Sequence, residues 1–336
     1  MSPMDLLGID FGVVLSNAFA QFVGPQAIFF ALLAIGLNIH FGYTGLLNFG
    51  QIGFALVSAY GVGITVVIYN QPLWLGLIVG MAASVVLALL LGIPTLRLRA
   101  DYLAIVTIAA SEILRLATRS TASDPYTRGT RGIQGQNFAF QQMNPYTPGR
   151  EYTILGVKFL GSTLWAMTVG WALIAILLLL VWMLVRSPWG RTLKAVREDE
   201  DAARALGKNV FLYRMQALVL GGFIGGLAGI FIAMTQALNP DFFSTQQTFF
   251  AWTAMILGGA ATVFGPVVGA MVFWFLFSFI DNVLRQLSTG PDSVLPISAQ
   301  QVGAVQIMLV GILLAVLIVY RPQGIMGRKR EVQLNV

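Results

Sequence analysis

The sequence predicts an all-α polytopic membrane protein with about nine or ten transmembrane helices, some of them short or broken. Of the 336 residues, 57% are hydrophobic and only 10% are charged, which lies outside the range of soluble globular domains. Long stretches carry no charge, the first covering residues 11–96, and such stretches can hold helices that cross ~30 Å of hydrocarbon. They are continuously apolar without period-two alternation, which favours helices over a barrel.

Charge gaps and Gly/Pro punctuation divide these stretches into nine predicted spans. The spans are 24–41, 49–69, 72–93, 101–118, 159–185, 211–237, a short piece 246–257, 263–283 and 302–320. Residues 6–21 are predicted either as a tenth span or as a helix lying at the membrane interface. The whole chain, 1–336, reads as a single transmembrane domain.

Glycines interrupt two of the predicted spans and line a third. The interrupting residues are Gly42, Gly45, Gly50 and Gly53 at one span entry, and Gly258, Gly259, Gly265, Pro266 and Gly269 at another. Helices there are expected to break or to pack very closely. In the span 211–237, Gly221, Gly225 and Gly229 recur every four residues, which predicts a face where two backbones approach, with tight packing as the main interpretation.

The distribution of Lys and Arg orients the chain. Placing the C-terminus in the cytoplasm and counting back through nine spans leaves most of the twenty Lys and Arg on the cytoplasmic side. Two long loops result: an outer loop, 119–158, and a charged inner loop, 186–210. The protein is therefore predicted to meet its partners at these loops.

Composition argues against chemistry within this chain. It has no Cys and a single histidine, His40, so little is available to build a metal centre or a histidine-based acid–base pair. We expect no enzymatic activity, no metal and no cofactor. The net charge of +6 comes from basic residues between apolar runs, which indicates membrane orientation rather than nucleic-acid binding.

The inner loop contains DAARALG at 201–207, within a charged and Ala-rich segment. A run of this kind is commonly a solvated helix face. It also resembles the E-A-A-x-x-x-G loop of bacterial ABC import permeases, with Asp201 in place of the usual Glu. In those proteins the loop docks into a groove on the ATPase subunit, so the resemblance implies a coupling loop at 186–210.

The wider chain, from about residue 36 to 327, resembles the permease subunits of branched-chain amino acid importers. The similar segments are GYTGLLNFGQ at 42–51, YLAIVTIAASEILR at 102–115 and RPQG at 321–324. One departure lies in the outer loop, where the family usually has T-G-G-x-x-G and this chain has TRGTRG at 127–132, with Arg128 at a glycine position. If that loop contacts the solute or the protein that delivers it, the added guanidinium bears on which solute is carried.

The resemblance implies a transport subunit that works with several partners. These are two ABC ATPase subunits, a second homologous permease subunit, an extracytoplasmic solute-binding protein and membrane lipid, in a bacterial cytoplasmic membrane. The sequence contains no G-x-x-x-x-G-K-[ST] motif, so ATP hydrolysis is assigned to the separate ATPase. The residues expected to form the ATPase-coupling contact are Arg197, Asp201, Ala202, Ala203 and Gly207.

The sequence offers fewer residues for the solute path. Glu112 and Arg115 lie three apart in an apolar span, so they share a helix face and can either serve the path or form a structural ion pair. Asn48 and Gln51 can hydrogen-bond a passing zwitterion or cap a broken helix.

Alternatives to branched-chain amino acid import remain open at this point. A urea or amide ABC permease has a very similar sequence pattern. A secondary transporter or channel would carry out transport alone and normally needs ionisable residues at mid-membrane, where only Glu112 and Arg115 come close. A membrane anchor without transport would leave the broken helices unexplained.

Overall fold

The computed structural model describes residues 10–96, 100–147, 149–154, 156–288, 299–321 and 323–327. These ranges are mostly helical, with one β-hairpin formed by β1 (Glu151–Ile154) and β2 (Val157–Leu160). The helices are α1 (Phe11–Val23), α2 (Pro25–Leu37), α3 (Gln51–Gly63), α4 (Leu73–Thr95), α5 (Ala100–Arg119), α6 (Asp124–Thr127), α7 (Phe138–Gln142), α8 (Gly161–Arg186), α9 (Pro188–Glu198), α10 (Glu200–Ala205), α11 (Val210–Thr235), α12 (Thr245–Gly258), α13 (Gly265–Ser288) and α14 (Ala299–Tyr320).

Six helical segments in the described ranges are long and apolar enough to cross a membrane. They are Pro25–Tyr43, Gln51–Ile68, Leu73–Thr95, Gly161–Arg186, Val210–Thr235 and Gly265–Ser288. Each corresponds to one predicted span, with small shifts at the ends, and the predicted polytopic helical class is confirmed. The other three predicted spans correspond to α5, which carries Glu112 and Arg115, to the 14-residue α12, and to α14.

The first helix is short. α1 has 13 residues, or about 20 Å of helix, which by itself is less than the ~30 Å hydrocarbon core. It runs antiparallel to α13: the Asp10 amide donates to Gln286, and Phe22 contacts Phe275 edge to face. Of the predicted segment 6–21, residues 6–9 lie outside the described part of the chain, as do Arg97, Arg99 and the basic residues 328–330.

The predicted helix breaks are present. α2 continues as a π-helix, Asn38–Tyr43, and the chain then leaves the helix until α3 begins at Gln51. Gly45, in this turn, has a φ of +74°, a left-handed conformation that glycine adopts without steric cost. At the second break α12 ends at Gly258, and Gly259 has a φ of +113° before α13 begins.

The interior of the bundle is formed by α2, α3 and α11. Small residues explain how they pack so closely: a Cβ added at Gly36 would lie 2.6 Å from the Gly221 carbonyl oxygen, and one at Gly221 would lie 2.6 Å from that of Gly36. The predicted glycine face of α11 is therefore a packing face. By contrast, only 22% of the most apolar part of α8 is buried, which leaves most of that helix for lipid or another chain.

The two long loops lie at opposite ends of the bundle, because α8 joins one to the other. The outer loop contains α6, α7 and the hairpin, and the backbones of Ile133 and Leu238 bridge it to the end of α11. At the opposite end, α9 lies beside the turn that follows α2, and α10 lies against α9 and α11. The Ile325 amide donates to the Leu257 carbonyl at the end of α12.

Candidate functional site

The inner loop folds into two short helices because capping residues stand where each one starts. Ser187 caps α9 through a hydrogen bond from the Gly190 amide, and Pro188 occupies the first helical position. Asp199 is extended and accepts the Ala202 amide at 2.9 Å, so it ends α9 and caps α10. The acidic residues that follow in the first turn of α10 suit the positive end of the helix dipole.

Gly207 ends α10 in a Schellman motif. Its φ is +77°, its amide donates to the Arg204 carbonyl at 3.0 Å, and the next amide, from Lys208, donates to the Ala203 carbonyl at 3.1 Å. Beyond its two chain neighbours, no described residue has an atom within 4 Å of where a Cβ would be placed on Gly207, so backbone conformation alone favours glycine here. The loop thus turns sharply out of α10 toward α11.

One side of α10 is exposed and the other is anchored. The Asp201 side chain is 91% exposed, and Ala202 and Gly207 are exposed as well. Leu206, which the sequence analysis missed, is 80% exposed, although leucine is a residue that folding usually buries. We call the exposed residues Asp201, Ala202, Leu206 and Gly207 the docking surface, although docking itself stays a prediction. An apolar residue within a charged loop was the available signal for Leu206.

Ala203 is the anchor of α10. It is 3% exposed and packs with Val196 of α9 and Val210 of α11 in a small core separate from the main one. Glu200 reinforces this junction through a 2.6 Å ion pair with Arg214 of α11. Ala203 therefore holds the coupling loop against α11 and does not itself present a surface to a partner.

Arg197 also points into the protein. Its guanidinium donates a 2.5 Å hydrogen bond to the Gly42 carbonyl, and the side chain is only 20% exposed. Of the five residues expected at the coupling contact, three therefore belong to the docking surface, while Arg197 and Ala203 face inward.

A buried polar network connects the turn after α2 with α3 and α11. Asn48 and Gln51, the expected path residues, are 0% exposed, as is His40. The Asn48 amide donates to His40 Nδ1 and to Gln51 Oε1, and Gln51 donates to the Gly221 carbonyl at 3.0 Å. Since Nδ1 accepts, the 3.1 Å contact between His40 Nε2 and the Leu218 carbonyl makes Nε2 the protonated nitrogen of a neutral imidazole.

Asn48 shapes the turn before α3 and does not cap the helix itself, since no described side chain caps α3. Its carboxamide oxygen accepts the Gly50 amide at 2.9 Å, just before α3 begins, and its backbone carbonyl accepts the Trp252 indole N–H. A second side chain acts similarly: Asn38 accepts the Ala261 amide and donates to the Thr262 carbonyl, both at 2.8 Å. Asn38 therefore joins the end of α2 to the turn between α12 and α13, and Asn48 joins the segment before α3 to α12. A role of Asn48 and Gln51 toward a solute stays a prediction.

Glu112 and Arg115 form the expected pair, within a larger cluster. Arg115 Nε lies 3.0 Å from Glu112 Oε2, and its NH1 donates to Asp241 at 3.0 Å. Arg119, one turn further, is 3.2 Å from the same Asp241 carboxylate. The partners are 39% and 49% exposed, so this is an end-of-helix cluster on the outer-loop side. A contact between this cluster and a solute stays a prediction.

Arg128 occupies a glycine-like backbone position. Its φ is +57°, a conformation uncommon for residues with a side chain, and the side chain is exposed. Gly129 and Gly132 beside it also have positive φ values, so the glycine-rich turn of the outer loop keeps its shape while presenting a guanidinium. Within the described part of the chain, no group of three or more His, Asp or Glu residues could hold a metal ion.

A bundle of long apolar helices with a two-helix loop exposed at one end defines a multi-pass membrane protein. The chain belongs to the family described as the permease component of branched-chain amino acid transport systems, whose sequence profile matches residues 22–320.

Curated relatives agree with this assignment. The high-affinity branched-chain amino acid transport system permease protein LivM of Salmonella typhimurium is 27% identical, over 92% of this chain and 70% of its own length. The protein of the same name from Escherichia coli gives the same identity and coverage. A solved metal-chelate type ABC transporter, in an inward-facing conformation, overlaps 93% of this chain and 89% of its own at 18% identity and a TM-score of 0.38.

Proposed function

We propose that this chain is the permease subunit of an ATP-driven importer that carries branched-chain amino acids across a bacterial cytoplasmic membrane. Membership of the permease family supports the transport role, and the names of the LivM relatives support the solute. The protein is not itself an enzyme in this proposal, because ATP hydrolysis comes from two ATPase subunits bound at its cytoplasmic side.

The docking surface carries the proposal of an ATPase partner. Leu206 and the methyl group of Ala202 expose apolar surface to water, so covering them with a partner is favourable. The small residues also let a partner approach the backbone closely. The exposed Asp201 carboxylate adds a charge at the rim. A short, well-capped helix with a sharp Gly207 turn is a rigid projection, which suits insertion into a groove.

Rigid-body movement is the mechanism that fits this geometry. α9 and α10 are fixed to α8 and α11 by capping, by the Ala203 core and by the pair between Glu200 and Arg214. Closure of two ATPase subunits would displace these helices together and so open the path alternately to each side. In this proposal the coupling loop 186–210 and the C-terminus are cytoplasmic.

The remaining partners follow from the family assignment. A second homologous permease subunit would complete the path, and a solute-binding protein would deliver the solute to the outer loop 119–158. Much of the surface of α8 and α4 is exposed and apolar, as expected for contact with lipid or another membrane subunit. Asn48, Gln51, Glu112 and Arg115 remain proposed path residues.

Reconstituted transport tests the solute. Proteoliposomes holding this chain, its neighbouring permease and the ATPases, with binding protein outside, should take up labelled leucine only when ATP is present inside with the ATPases. Labelled urea, supplied in parallel, should stay outside. Uptake of urea but not leucine would change the proposed solute to urea. ATP-independent uptake by this chain alone would refute the proposal that it is a subunit of an ATP-driven importer.

A charge placed on the docking surface tests the ATPase contact. Leu206→Asp should abolish co-purification of the ATPase, because a carboxylate would replace an exposed apolar side chain in the groove. Met143→Asp is the matched control, since Met143 is 65% exposed at the opposite end of the molecule. Equal ATPase recovery with both variants would show that α10 does not dock.

A further inference from the structure

Arg197 hydrogen-bonds the coupling loop to the turn after α2. Its guanidinium reaches the Gly42 carbonyl at 2.5 Å, and Gly42 lies 155 residues away along the chain. The Nε atom is buried and has no hydrogen-bond partner among the described residues. A mostly buried cation is costly, so its position next to Gly42 requires a reason beyond surface solvation.

The turn after α2 is shaped to receive this side chain. Gly42 lies in the last turn of the π-helix Asn38–Tyr43, where carbonyl groups lack intrahelical donors, and the guanidinium supplies one. A Cβ added at Gly45 would lie 3.2 Å from Arg197 Cγ, so the side chain rests directly on that glycine. Lys194, one turn earlier in α9, places its ammonium 5.8 Å from the centre of the Tyr43 ring.

The other side of this turn leads to the centre of the bundle. His40, two residues before Gly42, contacts the Leu218 carbonyl of α11 and the Asn48 side chain. Asn48 in turn bonds Gln51 of α3, which bonds the Gly221 carbonyl of α11. These contacts form a continuous connection from α9 to the crossing of α2, α3 and α11.

Packing makes that connection stiff. Glycines bring the backbones together at the crossing, and His40, Asn48 and Gln51 are all 0% exposed. A close-packed interior with satisfied hydrogen bonds resists small distortions and moves as a unit. A displacement of Gly42 is thus passed to three helices.

We infer that Arg197 is a positioning residue that transmits movement of the coupling loop to the crossing of α2, α3 and α11, and is not a contact with the ATPase. The inference rests on the proposed function, because it needs an ATPase that moves α9 and α10. Arginine suits this role better than lysine, since its planar, forked group can hold a carbonyl while its aliphatic part packs on Gly45.

The test compares Arg197→Gln and Arg197→Lys with Arg191→Gln, an exposed arginine on the same helix, in the reconstituted complex. Both Arg197 variants should keep the ATPase bound and hydrolysing ATP, while leucine taken up per ATP falls about tenfold, the scale of one lost charge-assisted hydrogen bond. Arg191→Gln should match wild type. Loss of ATPase binding in Arg197→Gln would make Arg197 a docking residue, and unchanged uptake per ATP would overturn the inference.

A second measurement separates this inference from the solute assignment. Hydrogen exchange of residues 38–51 in the wild-type complex should change when a non-hydrolysable ATP analogue binds, whatever the solute. In Arg197→Gln that change should disappear although the analogue and the ATPase still bind. An unaltered response in the variant would refute transmission through Arg197, whereas failure of the wild-type chain to bind any ATPase would refute the proposed function.

Discussion

Gly229 provides a sharp test of how closely α3 and α11 approach. A Cβ added there would lie 2.7 Å from both the Cα and the carbonyl carbon of Ala55, and closer still to its oxygen. Ordinary contact begins at 3.4 Å, so Gly229→Ala would force the helices apart by about 0.7 Å or more. The obstructing atoms are backbone, so no side-chain rotation can relieve the clash.

The cost can be estimated from this geometry. Overpacking costs ~1–3 kcal/mol, and a rigid backbone obstacle favours the upper end. Alanine recovers about 1 kcal/mol of helix propensity, which leaves a net destabilisation of about 2 kcal/mol. That amount lowers the ratio of folded to unfolded protein about thirtyfold. The midpoint of denaturant-induced unfolding of the purified subunit in detergent micelles measures it.

Gly311→Ala is the matched control for this prediction. Gly311 is also inside a helix, α14, but apart from that helix's own backbone no atom of the described residues lies within 4 Å of its added Cβ. This substitution should leave stability unchanged or raise it by up to about 1 kcal/mol. Equal unfolding midpoints for the two variants would refute the close approach of α3 and α11.

Three further predictions concern other parts of the molecule. His40→Leu should destabilise the subunit by about 1–3 kcal/mol, because the Leu218 carbonyl would lose a buried donor. His40→Gln should cost less, and the unfolding midpoints of the two variants measure the difference. Gly207→Asn should lower ATP-dependent uptake less than Gly207→Val. The left-handed backbone at this position costs ~1–2 kcal/mol for a residue with a side chain, and asparagine tolerates it better than valine. An equal loss of uptake in the two variants would contradict this prediction. Asp241→Asn should change stability by less than about 1 kcal/mol, because its side chain is 49% exposed, and a larger shift in the unfolding midpoint would argue for a role beyond surface pairing.

Much of the fold was predictable because the bilayer restricts the choices. Long charge-free stretches identified the six long helices, and clustered glycines identified both breaks, where a left-handed backbone is needed at Gly45 and Gly259. The pairing of Glu112 with Arg115 followed from their spacing on one helix face. These inferences use only local properties of the chain.

The arrangement of the candidate site was less predictable. Arg197 and Asp201 both lie in one charged loop, yet one side chain reaches the Gly42 carbonyl and the other is exposed. Asp241 joins Arg115 across 126 residues, and Gln51 bonds a carbonyl 170 residues away. Sequence spacing carries no information about such partners, because they meet only after the helices pack.

The sequence by itself determined that this chain crosses a membrane as helices, where those helices break, and which loop resembles an ATPase-docking element. Hydropathy and backbone preferences determine the helices and their breaks residue by residue, whereas the docking role is only what the resemblance of residues 201–207 to a family motif implies. Only the tertiary structure decided which apolar helices lie inside, since α2 and α8 are both hydrophobic all round but only α2 is largely buried. It also decided that Ala203 and Arg197 face inward while Leu206 faces out. In a chain whose surface is as apolar as its interior, the choice between lipid and protein is made by how closely small residues allow backbones to approach.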